Sequence, residues 1–198
     1  MLPTSASSPR ARAPPNVANS KSCAAGTAAG PSCNLKLSSG IAPVATYLER
    51  GVNVAIAADG AASNNRLDGW SELRLAGLLA KLHDGPAAVP AAQLFELATL
   101  GGARALGLDA EVGSIEPGKL ADLAIVDLRR AHAAGPEDVY TQLVYSARAP
   151  DVRTVLVGGR VLVDNGQLVV FSESEAVADA AVQRQKLAAR AGLRPPDT

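Results

Sequence analysis

The sequence predicts an α/β fold: the tail of a strand–helix unit, then a β-rich segment, then a closing helix. Three observations carry this. Residues 52–57 (VNVAIA) form a short apolar run between Gly51 and a polar cluster, the signature of a buried strand. Apolar residues at helical spacing flank that run on both sides. After Gly107 the texture changes to β-branched runs separated by Gly-Gly and Asp-Asn-Gly.

Residues 1–33 stand apart. They are rich in Ser, Pro, Ala and Gly, carry Arg10, Arg12 and Lys21, and contain no acid. Without helical or strand periodicity they are expected to be disordered and unrelated to the remainder. The composition also suits an organelle transit peptide; a mis-read start of a longer gene accounts for it at least as well.

Residues 34–107 are expected to form the strand–helix part. Residues 41–50 have helical spacing and stop at Gly51, a suitable residue beyond a helix C-terminus. Asp68 can cap a second helix whose apolar side is Leu73, Leu75, Leu78, Leu79 and Leu82, broken at Asp84-Gly85-Pro86. A third helix is expected from Pro90-Ala91 to Leu106, with Leu94, Leu97, Ala98 and Leu100 on one face. Residues 108–172 read as β structure. Residues 112–115 lead to a turn at Glu116-Pro117-Gly118-Lys119, 123–128 form a buried strand, and 155–157 pair with 160–163 across Gly158-Gly159. Asp164-Asn165-Gly166 is a further turn before 168–170. Residues 173–198 make an exposed amphipathic helix and a Pro-containing tail.

Composition limits the function classes. The chain has 198 residues, 47% hydrophobic and 19% charged, with a formal net charge of zero. A globular chain of this kind has no basic stripe with interleaved aromatics, which argues against nucleic acid as a partner. No apolar run approaches the roughly 20 residues of a membrane span. Cys23 and Cys33 have neither metal-site nor disulfide-framework spacing, so they are expected to be reduced thiols in a cytoplasmic protein.

The stretch that invites a chemical reading is 57–65, AADGAASNN. It sets an acid, Asp59, at the C-terminal end of a strand, where α/β proteins keep their chemistry. Taken alone, Asp59 reads first as a turn residue bonding nearby amides; the sharper reading is a metal ligand or proton carrier. Ser63, Asn64 and Asn65 line the loop or serve as turn residues. His83 lies in a helix's last turn, where imidazole complements the helix dipole, and His132 lies in an Ala-Gly-Pro loop; both are expected to be structural. With these isolated histidines and cysteines the chain does not complete a zinc site from the usual ligands.

NLKLSSGIAPV (34–44), ADGAASNN (58–65) and Glu72-Leu73-Arg74 resemble the amidohydrolase superfamily. The match is to its aminohydrolase group of 5-methylthioadenosine/S-adenosylhomocysteine deaminases and triazine hydrolases. ATLGGARALG (98–107) and GSIEPGKLADL (113–123) continue the likeness in order. The resemblance implies the C-terminal end of a (β/α)8 TIM-like barrel plus part of a small β-sandwich domain. It makes Asp59 the aspartate after the last barrel strand, a ligand of a divalent metal, usually zinc, and the proton shuttle for metal-bound water. Ser63 becomes a substrate-binding serine facing a heterocycle, and the small Ala61 and Ala62 leave room for the ring. The implied reaction is hydrolytic removal of ammonia from an aminopurine-type or related cyclic amidine.

Where the family carries His-Cys-Pro before NLKL, this chain has Ala29-Gly30-Pro31; Ala58 replaces a threonine and Gly101 an asparagine. The family's metal-binding histidines precede the matched part, and no histidine occurs here before His83. The expectation is therefore a truncated chain, inactive alone. It is the C-terminal part of such an enzyme, one half of a split enzyme completed by an N-terminal half, or a non-catalytic remnant or interaction module. Family members also form homodimers.

Overall fold

The computed structural model describes residues 27–135 and 138–193. The expected disorder of the N-terminal segment falls mainly on residues 1–26, outside this range, as do Cys23 and the tail after Leu193.

An α/β architecture is present, built around two short parallel strands. β1 (Thr27–Ala29) pairs with β2 (Val54–Ile56) in the register Thr27↔Val54, Ala28↔Ala55, Ala29↔Ile56. Ala57 N–H donates to Ala29 O at 3.0 Å, which carries the pairing one residue further. Order thus begins by Thr27, upstream of the boundary that composition suggests at residue 33. β1 was illegible because its run, TAA, has neither alternation nor length. Only pairing with β2 makes it a strand.

Helices connect and cover the pair. α1 (Pro31–Lys36) starts on Pro31, a residue whose missing N–H costs nothing at a first helical position. α2 (Val44–Glu49) is shorter than the expected 41–50 because Pro43 sets its start. α3 (Gly69–Asp84) begins as expected. Asp68 Oδ1 accepts from Trp70 N–H (3.1 Å) and Ser71 N–H (3.2 Å), and its Oδ2 from the Ser71 hydroxyl (2.6 Å).

The buried face of α3 differs from expectation. It is Glu72, Leu73, Ala76, Gly77 and Ala80, while Leu78 is 41% and Leu82 80% exposed. Small residues win the core side because neighbours approach closely there. A Cβ on Gly77 would stand 2.7 Å from Leu94 Cδ1 and 2.8 Å from the Tyr145 hydroxyl.

The expected third helix is two: α4 (Ala91–Ala98) and α5 (Leu100–Leu106), broken at Thr99 (φ −118°, ψ −89°). The Thr99 hydroxyl donates to Phe95 O at 2.9 Å, and the break steers Gly101 onto β2. There Asn53 Nδ2 donates to Gly101 O at 3.0 Å. Leu94 and Leu97 are buried as expected, whereas Ala98 is exposed. The core unites Ala29, Val54, Ile56, Leu73, Leu94 and Val144.

The second sheet is antiparallel, in the order β3 (Leu123–Val126), β4 (Val152–Val157), β5 (Arg160–Asp164), β6 (Gln167–Leu168). Both hairpins hold. Gly158 and Gly159 take φ 55° and 78°, and Asn165 and Gly166 take 47° and 76°, the positive angles of two-residue hairpin turns. Residues 112–115 are not a strand. Val112 N–H turns back to Leu108 O (2.9 Å), and Ile115 is 86% exposed. Among the described residues one sheet stands where part of a two-sheet sandwich is expected.

Between the sheet's first two strands lies α6 (Val139–Thr141), which runs into a π-helical turn, Gln142–Ser146, that sequence did not signal. α7 (Glu173–Arg190) closes the chain, capped by Ser172 and without one buried residue. No described helix is long and apolar enough to cross a membrane.

Gly101→Ala should destabilise the chain by about 1–3 kcal/mol, because a Cβ there would lie 2.6 Å from Val54 O on β2. Denaturant midpoints of the two proteins measure this, and an unchanged midpoint would refute the close approach.

Candidate functional site

Both parallel strands run out on the same side. β1 ends at Ala29 and is followed by Gly30 and α1; β2 ends at Ile56 and is followed by the 57–65 loop. A Cβ built on Gly30 would lie 3.3 Å from the Asp59 Cβ and 3.7 Å from the Cys33 Cβ. The acid from one strand end and the thiol from the other therefore crowd a single point.

Asp59 is solvent-exposed and adopts φ +62°, the left-handed region that Asp tolerates better than most residues. Its carboxyl is held below the usual carboxylate range, first by a hydrogen bond from the Cys33 thiol, then by the Gly60 N–H and the Ser63 hydroxyl. The Gly60 contact measures 2.7 Å to Oδ1. Reciprocally, the Asp59 carboxylate pushes the Cys33 thiol up, so it stays protonated and donating. Cys33 is 4% exposed and free. Its isolation in sequence gave no sign of this role, because its partner is brought to it by strand pairing.

Ser63, the expected substrate-binding serine, is half-buried, and its hydroxyl donates to Gly60 O at 3.0 Å. This is turn chemistry of the plain kind, on the rim beside Asp59. Asn64 does not line the loop's outer face: it is 5% exposed and points inward. One Nδ2 hydrogen goes to Ala58 O (2.8 Å) and the other to Glu72 Oε1 (2.8 Å), while Oδ1 accepts from Arg66 N–H (3.1 Å). Ala61 and Ala62 are exposed beside it.

The histidines stand apart from this site. His83 Nδ1 pairs with Asp84 (2.7 Å) at the end of α3, and His132 Nε2 with the buried Asp151 (2.8 Å). Among the described residues no three His, Cys, Asp or Glu side chains converge as metal ligands. Asp59 and Cys33 offer two donors at most, and a four-coordinate zinc site needs more. The described residues do not by themselves fit the metal.

Residues 12–162 match the family model described as the amidohydrolase family. The chain belongs to this family. It is 50% identical over 162 residues to a 5-methylthioadenosine/S-adenosylhomocysteine deaminase of Moorella thermoacetica, covering 81% of this chain and 38% of the relative. A 5'-deoxyadenosine deaminase of Methanosarcina acetivorans is 47% identical over 162 residues, with 81% and 37% covered. Among solved structures, a zinc-bound adenosine deaminase from Xanthomonas campestris superposes with a TM-score of 0.77 at 40% identity, covering 81% of this chain and 37% of that one. The zinc-complexed atrazine chlorohydrolase of Arthrobacter aurescens gives 0.72 at 30% identity, with 78% and 35% covered. The chain thus spans about 38% of the length of the first of these relatives.

The donor set makes a direct prediction. Purified chain, dialysed and analysed for metals, should hold well below one zinc per molecule. A stoichiometric zinc would mean that groups beyond Asp59 and Cys33 complete a site.

Proposed function

We propose that this chain forms the C-terminal part of a metal-dependent aminohydrolase that removes ammonia from an aminopurine-type or related cyclic amidine ring. Asp59 is its proton-carrying residue and one of its metal ligands, and Ser63 binds the substrate's heterocycle. The observation that carries the reading is Asp59 itself. It is an exposed carboxylate at the C-terminal end of a parallel strand, set in a left-handed conformation and held ionised by its neighbours. An anionic oxygen that faces solvent suits a divalent cation, and water bound to such a cation lies within reach of the same carboxylate as proton acceptor. The likeness to relatives named as adenosine-type deaminases supports the substrate class.

The remaining metal ligands, zinc being the favoured ion, have to come from another polypeptide segment, so the isolated chain is inactive under this reading. Uncovered apolar surface favours such a partner: Leu82 is 80%, Leu106 75% and Ile115 86% exposed. An N-terminal half, fused or separate, accounts for both needs. The last segment of a (β/α)8 barrel is the architecture that goes with it; among the described residues β1 and β2 pair only with each other. The free Cys33 thiol suits a cytoplasmic setting. A non-catalytic interaction module would leave the ionised Asp59 without a task.

The test supplies the missing half. The chain, fused to or mixed with the N-terminal part of a related deaminase, should release ammonia from an aminopurine. In that hybrid Asp59→Asn should lower turnover by on the order of 10²–10⁴-fold, since the amide can neither bind the ion as an anion nor carry the proton. Ser63→Ala should cost about 0.5–1.5 kcal/mol, seen mainly in KM. Near-normal turnover by the Asp59→Asn hybrid would reduce Asp59 to a turn residue.

A further inference from the structure

Glu72 is the most deeply buried ionisable side chain of the described core, 1% exposed on the inner face of α3. Nothing in the proposed chemistry uses it. A carboxylate so placed needs partners, and it has two from elements distant in sequence. Oε2 accepts from the Ser32 N–H of α1 at 2.9 Å, and Oε1 accepts from Asn64 Nδ2 at 2.8 Å.

Each partner leads to Asp59. Asn64 passes its second amide hydrogen to Ala58 O, the carbonyl of the peptide that precedes Asp59, at 2.8 Å. Fixing that carbonyl orients the 58–59 peptide plane and with it the left-handed φ of +62° at Asp59. A non-glycine residue keeps such a conformation only where its surroundings over-determine it. Ser32 stands next to Cys33, whose Cβ and that of Asp59 both crowd Gly30, and its N–H at the start of α1 has no partner within the helix. Glu72 therefore grips the loop backbone on one side of Asp59 and, on the other, the helix whose Cys33 lies beside it.

We propose that Glu72 is a positioning residue for Asp59, acting through Asn64 on the Ala58 carbonyl and through the Ser32 amide on α1. The structural part stands on the contacts alone; its consequence for turnover rests on the role proposed above for Asp59. Charge and geometry both matter. Glutamine at position 72 would turn an NH2 group toward either the Ser32 N–H or the Asn64 amide hydrogens, replacing one hydrogen bond by two opposed donors.

Two measurements test this, with Glu72→Gln and Asn64→Ser as loop variants and Leu94→Val as a core control remote from the loop. In the full chain alone, amide hydrogen exchange at Gly60 and Ser63 should quicken by tenfold or more in both loop variants. The β2 amides should keep their rates. Leu94→Val should quicken core amides of α4 without that local effect. In the hybrid with a supplied N-terminal half, the loop variants should lower kcat on the order of 10–100-fold with KM nearly unchanged. Exchange at Gly60 and Ser63 that stays at the parent rate in the loop variants, or quickens equally in Leu94→Val, overturns the proposal. So does full kcat in loop variants of a hybrid that Asp59→Asn inactivates. A parent hybrid without turnover would instead count against the proposed function, and exchange alone would then decide the clamp. Should Glu72→Gln fail to fold, Asn64→Ser decides between the same outcomes, because it keeps the Ser32 contact.

Discussion

The hydrogen bond between the buried Glu72 carboxylate and the Asn64 side chain is the constraint on which the candidate site depends. A buried carboxylate is costly unless satisfied, and this one is satisfied only when α1, α3 and the 57–65 loop sit in their observed places. Polar groups in a low-dielectric interior penalise wrong arrangements more than they reward right ones. The bond therefore acts as a specifier: a loop of alanine, glycine and asparagine, flexible by composition, acquires one backbone path. Asp59's exposed carboxylate inherits its direction from that path.

Around this polar point the packing is made by small side chains. α3 offers Ala76, Gly77 and Ala80 to its neighbours, and α5 brings Gly101 against the backbone of β2. Close approach of backbones compensates for a composition with only 3% aromatic residues, since dispersion contacts accumulate with proximity rather than with side-chain size. The same preference explains why larger leucines are left outside. Leu78 and Leu82 share α3 with the core residues but point away from the strands, onto surface that nothing in the described residues covers.

Strand ends, thiol and loop together give Asp59 an unusual standing for an exposed acid. The Gly60 N–H donates to a carboxylate that solvent can still reach. Among the described residues no three His, Cys, Asp or Glu side chains converge as metal ligands around it. The chain belongs to the amidohydrolase family, spans 38% of the length of one relative, and brings together too few donors for a zinc site among its described residues.

By itself the sequence determined what local chemistry can determine. Asp68 as a cap, the Gly-Gly and Asn-Gly hairpins, the strand at β2 and the terminal helix all follow from short-range sterics and hydrogen bonding, and the order of motifs carried the family resemblance. Asp59 was legible because an acid after an apolar strand is conspicuous. Tertiary structure alone decided the rest. TAA became a strand only by pairing with residues 54–56, the helix expected over 90–106 broke at Thr99 because Gly101 had to meet β2, and α3 turned its small face inward. Cys33, Asn64 and Glu72 joined the site through contacts spanning 8 to 40 positions. No pattern along the chain encodes such meetings, because a buried polar group chooses its partners by where the fold leaves unsatisfied donors, not by spacing.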